Sequence, residues 1–133
     1  MMQVYQGVDL VEIPKFADLF LRNRDLVSEI FTEGERKYCL SMKEPYKHFA
    51  GRFAAKEACM KALGMGLSGI DNTLQEIEVS STPSWKPGLS ISGWAEKMGR
   101  KKKIRQLTVS ISHSAQYAVA TVVLVGDKGP ESI

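Results

Sequence analysis

The segment FAGRFAAKEACMKALG, Phe49 to Gly64, restricts this chain more than any other, because as a helix it has almost no face left for water. At about 100° per residue, Phe49, Phe53 and Met60 fall on one stripe, while Ala54, Ala55 and Ala58 line the opposite side with side chains short enough to admit a close neighbour. Both sides are patterned for packing. Four charges stand among these residues, Arg52, Lys56, Glu57 and Lys61, and on such a helix they are semi-buried and need partners. Glu57 and Lys61 are spaced i, i+4, which suits a surface ion pair worth about 0.3–0.5 kcal/mol. Lys56 fits that reading poorly, since it projects into the apolar stripe between Phe49 and Met60. The segment asks for an anionic ligand or a metal.

The flanking sequence supplies what this helix packs against. MQVYQGVDLVEI is rich in β-branched and apolar residues around Gly7 and reads as a buried strand ending near Asp9. Pro14 suits the first turn of a helix in which Ile13, Phe16, Ala17 and Phe20 form the apolar stripe and Lys15 and Arg22 the outer face. Thr32 and Glu35 form a capping box for a short helix reaching Met42, and Pro45 separates it from the long helix. Gly64, Gly66 and Gly69 end the long helix in a flexible turn. Beyond them the period changes to two. LQEIEVSS at 74–81 and GLSIS at 88–92 read as strands around the turn TPSWKPG, and a short helix spans Gly93 to Met98. QLTVSISH and YAVATVVLV make a hairpin through Ser114, Ala115 and Gln116, with Leu107, Val109, Ile111 and His113 on one face. The order of elements predicts an α+β fold, an antiparallel sheet with a long packed helix.

At 133 residues the chain reads as a single domain over 1–125 with a flexible tail at 126–133. No apolar run is long enough to span a membrane and no signal peptide is evident, so the expected location is cytoplasmic. Cys39 and Cys59 lack a CxxC spacing and read as core thiols rather than as zinc ligands or a disulfide. The net charge of +3 is unevenly spread, with cations at Lys15, Arg22 and Arg24, in the long helix, and in GRKKKIR at 99–105, which favours a polyanionic partner. No aromatics interleave with that last run, so it reads as a solvated loop rather than a nucleic-acid surface.

Asp9 closes a strand, Glu57 sits on the packed helix, and His113 ends another strand at its loop. Asp9 alone suits the N-terminal charge of a helix, and His113 alone a hairpin cap. His48 has no companion and reads as a surface or packing histidine. Two carboxylates without imidazole or thiol companions suit a hard cation such as Mg²⁺, which completes its shell with water and substrate phosphates. Arg52, Lys56, Lys61 and the glycine turn at Gly64 and Gly66 could then hold the oxygens of a phosphate ligand. No GxxxxGK[ST] is present, which excludes a P-loop.

GVDLVEI, GRFAAKEACMKALGMG and SISHSAQYAVATVV resemble, in order and spacing, the signature segments of the holo-[acyl-carrier-protein] synthases, the small trimeric 4′-phosphopantetheinyl transferases. KPGLSISGWAEKM, with Pro87, looks like the family's proline-containing strand leading into a helix. The resemblance implies transfer of phosphopantetheine from coenzyme A to a serine of apo acyl carrier protein, in support of fatty acid biosynthesis. It implies that Asp9 and Glu57 hold Mg²⁺, that Lys61 neutralises or protonates the leaving phosphate, and that Glu57 or a metal-bound water accepts the serine proton. His113 would touch coenzyme A phosphates, with Arg52, Lys56, Gly64, Gly66 and Pro87 in the same binding set. Acyl carrier proteins are acidic, so Lys15, Arg22 and Arg24 are expected to dock them. The resemblance further implies a homotrimer with sites between subunits, Asp9, Glu57 and Lys61 from one chain and His113 with Arg52 from its neighbour. Lys15 stands where an arginine is common, and Met65 where a small or polar residue often divides two glycines. A broader transferase serving polyketide or peptide synthesis is the alternative within the enzymes. A non-catalytic basic module that binds acidic protein or nucleic acid is the alternative outside them.

Overall fold

The computed structural model describes residues 1–65, 73–81 and 87–127. The chain runs β1 (Met2–Glu12), α1 (Ile13–Arg22), α2 (Asp25–Ile30), α3 (Glu33–Leu40), α4 (Pro45–Leu63), α5 (Thr73–Glu76), β2 (Ile77–Ser81), β3 (Pro87–Ile91), α6 (Gly93–Lys101), β4 (Ile104–His113) and β5 (Tyr117–Asp127). Two antiparallel sheets result, a three-stranded one in the order β1-β5-β4 and a β2-β3 ribbon, so the α+β expectation holds.

The long helix is central. Phe49, Ala50, Ala54, Ala55, Ala58, Cys59, Met60, Ala62 and Leu63 are all buried, and α4 lies against β1 and β5. The small side has a specific reason: a Cβ at Gly7 would run into the Ala58 carbonyl and lie 2.9 Å from Ala62 N. Strand and helix backbones therefore meet where neither carries bulk. On the opposite side, aromatic rings tie α4 to the N-terminal segment, with centroids 4.9 Å apart for Phe31 and Phe49 and 5.5 Å for Phe16 and Phe53, while Phe16 and Phe20 pack within α1 at 4.2 Å. Burial of such side chains is worth roughly 1.5–3 kcal/mol each. Gly64 stops the helix in the left-handed region at φ 75°, donating its N–H to the Lys61 carbonyl.

Several boundaries differ from the sequence reading. β1 continues past Asp9 to Glu12, and it is half-exposed rather than buried. Gly7 and Val11 are buried towards α4, while Met2, Val4, Val8 and Leu10 stand open on the other face. With apolar residues on both faces, the alternation of burial leaves no trace in hydropathy. Pro45 does not separate two helices but begins α4, one turn before Phe49. α2, unexpected from the sequence, fills the interval after α1. Leu74 to Glu76 form a helical turn, α5, in place of the first part of a strand. α6 extends to Lys101, so Arg100 and Lys101 lie on a helix rather than a loop. The final strand pairs through Gly126 and Asp127, two residues into the expected tail. Gly66 and Gly69, and the turn at 82–86, lie outside the described residues. The Thr32–Glu35 capping box and the β4–β5 hairpin form as expected. No helix among the described residues is long and apolar enough to cross a membrane.

Candidate active site

Alternation along β1 turns Asp9 to the same side as Gly7 and Val11, towards α4. There Lys61 Nζ donates to Asp9 Oδ1 at 3.0 Å and to the Val8 carbonyl at 3.1 Å. Lys61 thus reaches across to β1 rather than down its own helix to Glu57. Glu57 is half-buried beside them, and its carboxyl pKa is raised by burial first and by the Asp9 charge second, with Lys61 opposing. A half-buried carboxyl whose ionisation a neighbouring carboxylate makes costlier marks a site that a cation would relieve. The three side chains line a groove of about 440 Å³ with Leu10, Glu12, Lys15, Phe16, Leu19 and Phe53. Lys15, expected on the face away from the core, stands on the rim of this groove with its Nζ 3.5 Å from Glu12. Arg22 pairs with Asp18 at 3.3 Å, and Arg24 is exposed in the turn beyond.

The other anion-binding candidates gather elsewhere. Arg52, Pro87 and His113 line a second cavity of about 250 Å³, together with Tyr38, Met42, His48, Ser81 and Ile111. Gly51 lets α4 approach β4 here, since a Cβ on it would lie 2.9 Å from Ile111 and 3.5 Å from the His113 ring. Arg52 is only 5% exposed, lies 4.0 Å over the Tyr38 ring and donates from Nη2 to Ser81 Oγ at 2.7 Å. Its Nε is buried without a hydrogen-bond partner among the described residues. Gly64 lines neither cavity and serves as the end of α4.

Lys56 requires a correction. It has no exposed surface, and its ammonium is shared among Glu35 Oε1 at 2.8 Å, the Leu74 carbonyl at 2.7 Å and the Ile77 carbonyl at 2.6 Å. An ammonium has three donors, so none is left for a ligand. The partner that its position demanded is an internal carboxylate. Cys39 and Cys59 are buried thiols with pKa values pushed up to about 12 by burial, the core role expected of them.

Tyr38, Met42, His48, Ser81 and Ile111 line this cavity without having been among the site residues read from the sequence. The signal for His48 was its i, i+4 spacing to Arg52, visible only once α4 is known to begin at Pro45.

The family model for the 4′-phosphopantetheinyl transferase superfamily matches residues 6–122. A holo-[acyl-carrier-protein] synthase of Syntrophotalea carbinolica is 43% identical over 123 residues, 91% of this chain and 94% of that one. One from Koribacter versatilis is 40% identical over 119 residues, 89% of this chain and 94% of its own length. Among solved structures, the Chronobacterium ammoniagenes ACPS–CoA complex superposes with a TM-score of 0.81 at 31% identity, covering 95% of this chain and 99% of that one. The Helicobacter pylori holo-[acyl-carrier-protein] synthase in complex with coenzyme A gives 0.75 at 30% identity, over 90% and 98%. The matched span takes in both cavities, all of β4 and more than half of β1 and β5, and on these grounds the chain belongs to the 4′-phosphopantetheinyl transferase superfamily, among the holo-[acyl-carrier-protein] synthases.

Proposed function

We propose that this chain transfers the 4′-phosphopantetheine group of coenzyme A to a serine of apo acyl carrier protein, releasing adenosine 3′,5′-bisphosphate. The observation that carries the reading is the convergence of Asp9, Glu57 and Lys61 in one groove, from β1 and α4. Phosphoryl transfer is catalysed chiefly by positioning and charge neutralisation, and this groove offers both without a covalent nucleophile. Asp9 and Glu57 would hold Mg²⁺, a cation satisfied by two protein carboxylates plus water and phosphate oxygens. When bound, the ion neutralises charge on the pyrophosphate of coenzyme A. Lys61, half-exposed at the groove, can turn from Asp9 to the phosphate oxygen of the leaving group and supply it with a positive charge or a proton. Glu57, in the groove beside Asp9, would accept the proton given up by the serine hydroxyl, directly or through a metal-bound water.

The coenzyme's remaining charge falls to Arg52 and His113 in the second cavity. The two cavities share no lining residue, which supports a site assembled from the first cavity of one chain and the second of a neighbour. The open apolar face of β1, with Leu10 63% and Val8 53% exposed, is the surface such a trimer would cover. Incubation of an apo carrier protein with coenzyme A, Mg²⁺ and this protein tests the reading by mass spectrometry. A carrier heavier by one phosphopantetheine is the expected result, and an unshifted carrier overturns it.

A further inference from the structure

The second cavity holds two imidazoles rather than one. The His48 and His113 rings meet edge to face, their centroids 5.5 Å apart at 75°, and Tyr38 also packs edge to face against His48 at 5.9 Å. Arg52 completes the wall. Its guanidinium is buried, faces no carboxylate partner among the described residues and keeps Nε unpartnered, an arrangement that costs free energy unless an anion arrives. The groups facing these rings are Lys47, Arg52, Tyr38 and Glu44, of which only Glu44 is acidic, and its field is felt at His48 alone. At about 250 Å³ the cavity is too small for a whole nucleotide and suits one compact group.

We propose that His48 is a further substrate-binding residue, which with His113 and Arg52 forms a two-imidazole clamp for a phosphomonoester, the class of group that coenzyme A carries on its ribose. The inference rests on the reading above that this cavity holds part of coenzyme A. A phosphomonoester carries close to two negative charges at neutral pH, whereas each phosphate of a pyrophosphate diester carries one. Burial, and then neighbouring cations, lower the pKa of both imidazoles, so both are neutral in the free protein at pH 7 and each has one N–H to donate. A dianion between them reverses that field and raises both pKa values. His48 therefore contributes to preference for coenzyme A over 3′-dephospho-coenzyme A.

Two measurements test this. In the native protein, NMR titration of the imidazole signals should show the pKa of both His48 and His113 rising when adenosine 3′,5′-bisphosphate is saturating, and His48 staying put with 3′-dephospho-coenzyme A. In kinetics, His48→Gln should lower the ratio of kcat/KM for coenzyme A to that for 3′-dephospho-coenzyme A about tenfold, equivalent to about 1.4 kcal/mol. If His48→Gln leaves the ratio unchanged while His113→Gln or Arg52→Gln lowers it, His48 is a packing residue and the clamp is refuted. If none of the three lowers it, the cavity does not hold the phosphomonoester, and the reading on which the clamp rests falls with it. A His48 pKa unmoved by the bisphosphate also overturns the proposal, whatever the variants do.

Discussion

Lys56 Nζ lies 2.8 Å from Glu35 Oε1, and neither side chain has any exposed surface. The pair fastens three elements at once. Glu35 also accepts from Thr32 N at 2.8 Å, closing the cap of α3, and from Val79 N at 2.7 Å, holding β2. Lys56 pins the Leu74 and Ile77 carbonyls, which fixes the start of β2 against α4. Ser81, at the other end of β2, is the residue that orients Arg52.

Replacing Lys56 by Met should therefore cost stability, by roughly 3–5 kcal/mol, because Glu35 is left charged and unneutralised in the core. The double variant Lys56→Met/Glu35→Gln should lose less than the sum of the two single changes. Urea unfolding measures both. Additive losses would show that the two side chains do not act as a pair.

Asp9→Ala and Glu57→Gln should each lower kcat about 10²-fold or more while leaving the circular dichroism spectrum unchanged, since both carboxylates sit at a groove and not in the core. Activity should vanish in EDTA and return with Mg²⁺. Full turnover in chelator, or by either variant, would rule out the metal assignment.

The raised pKa of Glu57 gives a pH test with a definite sign. A carboxyl whose folded pKa exceeds its unfolded one binds more protons in the folded state between the two values. Its contribution to stability is therefore lost as pH rises through that window. Without metal, Glu57→Gln should raise Tm at pH 7 and have no such effect below the ordinary glutamate pKa of about 4.3. Mg²⁺ should raise the Tm of the native chain at pH 7, less so as pH falls into the window, and not that of the variant. A lower Tm for the metal-free variant at pH 7 contradicts the account.

Lys15, Arg22 and Arg24 are solvent-facing, and among the described residues the first two hold only exposed pairs with Glu12 and Asp18, which cost little to break. Reversing all three charges should raise KM for an acidic carrier protein about tenfold or more, with KM for coenzyme A nearly unchanged. Added salt should reproduce the effect in the native protein. Parallel changes in both constants would place these residues outside carrier docking.

The proposed sharing of the site between subunits can be tested by complementation. Chains carrying Asp9→Ala and chains carrying His113→Ala should each be nearly inactive alone, while mixed trimers made by co-expression regain activity at interfaces with two native halves. An active monomer in sedimentation eliminates the arrangement. A trimer without rescue puts both residues in one subunit's site.

The sequence determined those features that depend on near neighbours. The period-3.6 stripe of α4, the Thr32–Glu35 cap and the alternating run into His113 each declare an element and a face, because backbone geometry alone sets which side chains share a side. Three motifs in order carried the family. It also determined that the charges of α4 need partners, but not which ones. Lys61 finds Asp9 across 52 residues and Lys56 finds Glu35 across the α3–α4 turn, whereas Glu57, the i, i+4 neighbour of Lys61, takes part in no ion pair among the described residues. Those choices were made when Gly7 let β1 settle onto Ala58 and Gly51 let β4 settle beside Arg52. Close approach of distant backbones decides which charges lose water together, and that is a property of packing that no local pattern records.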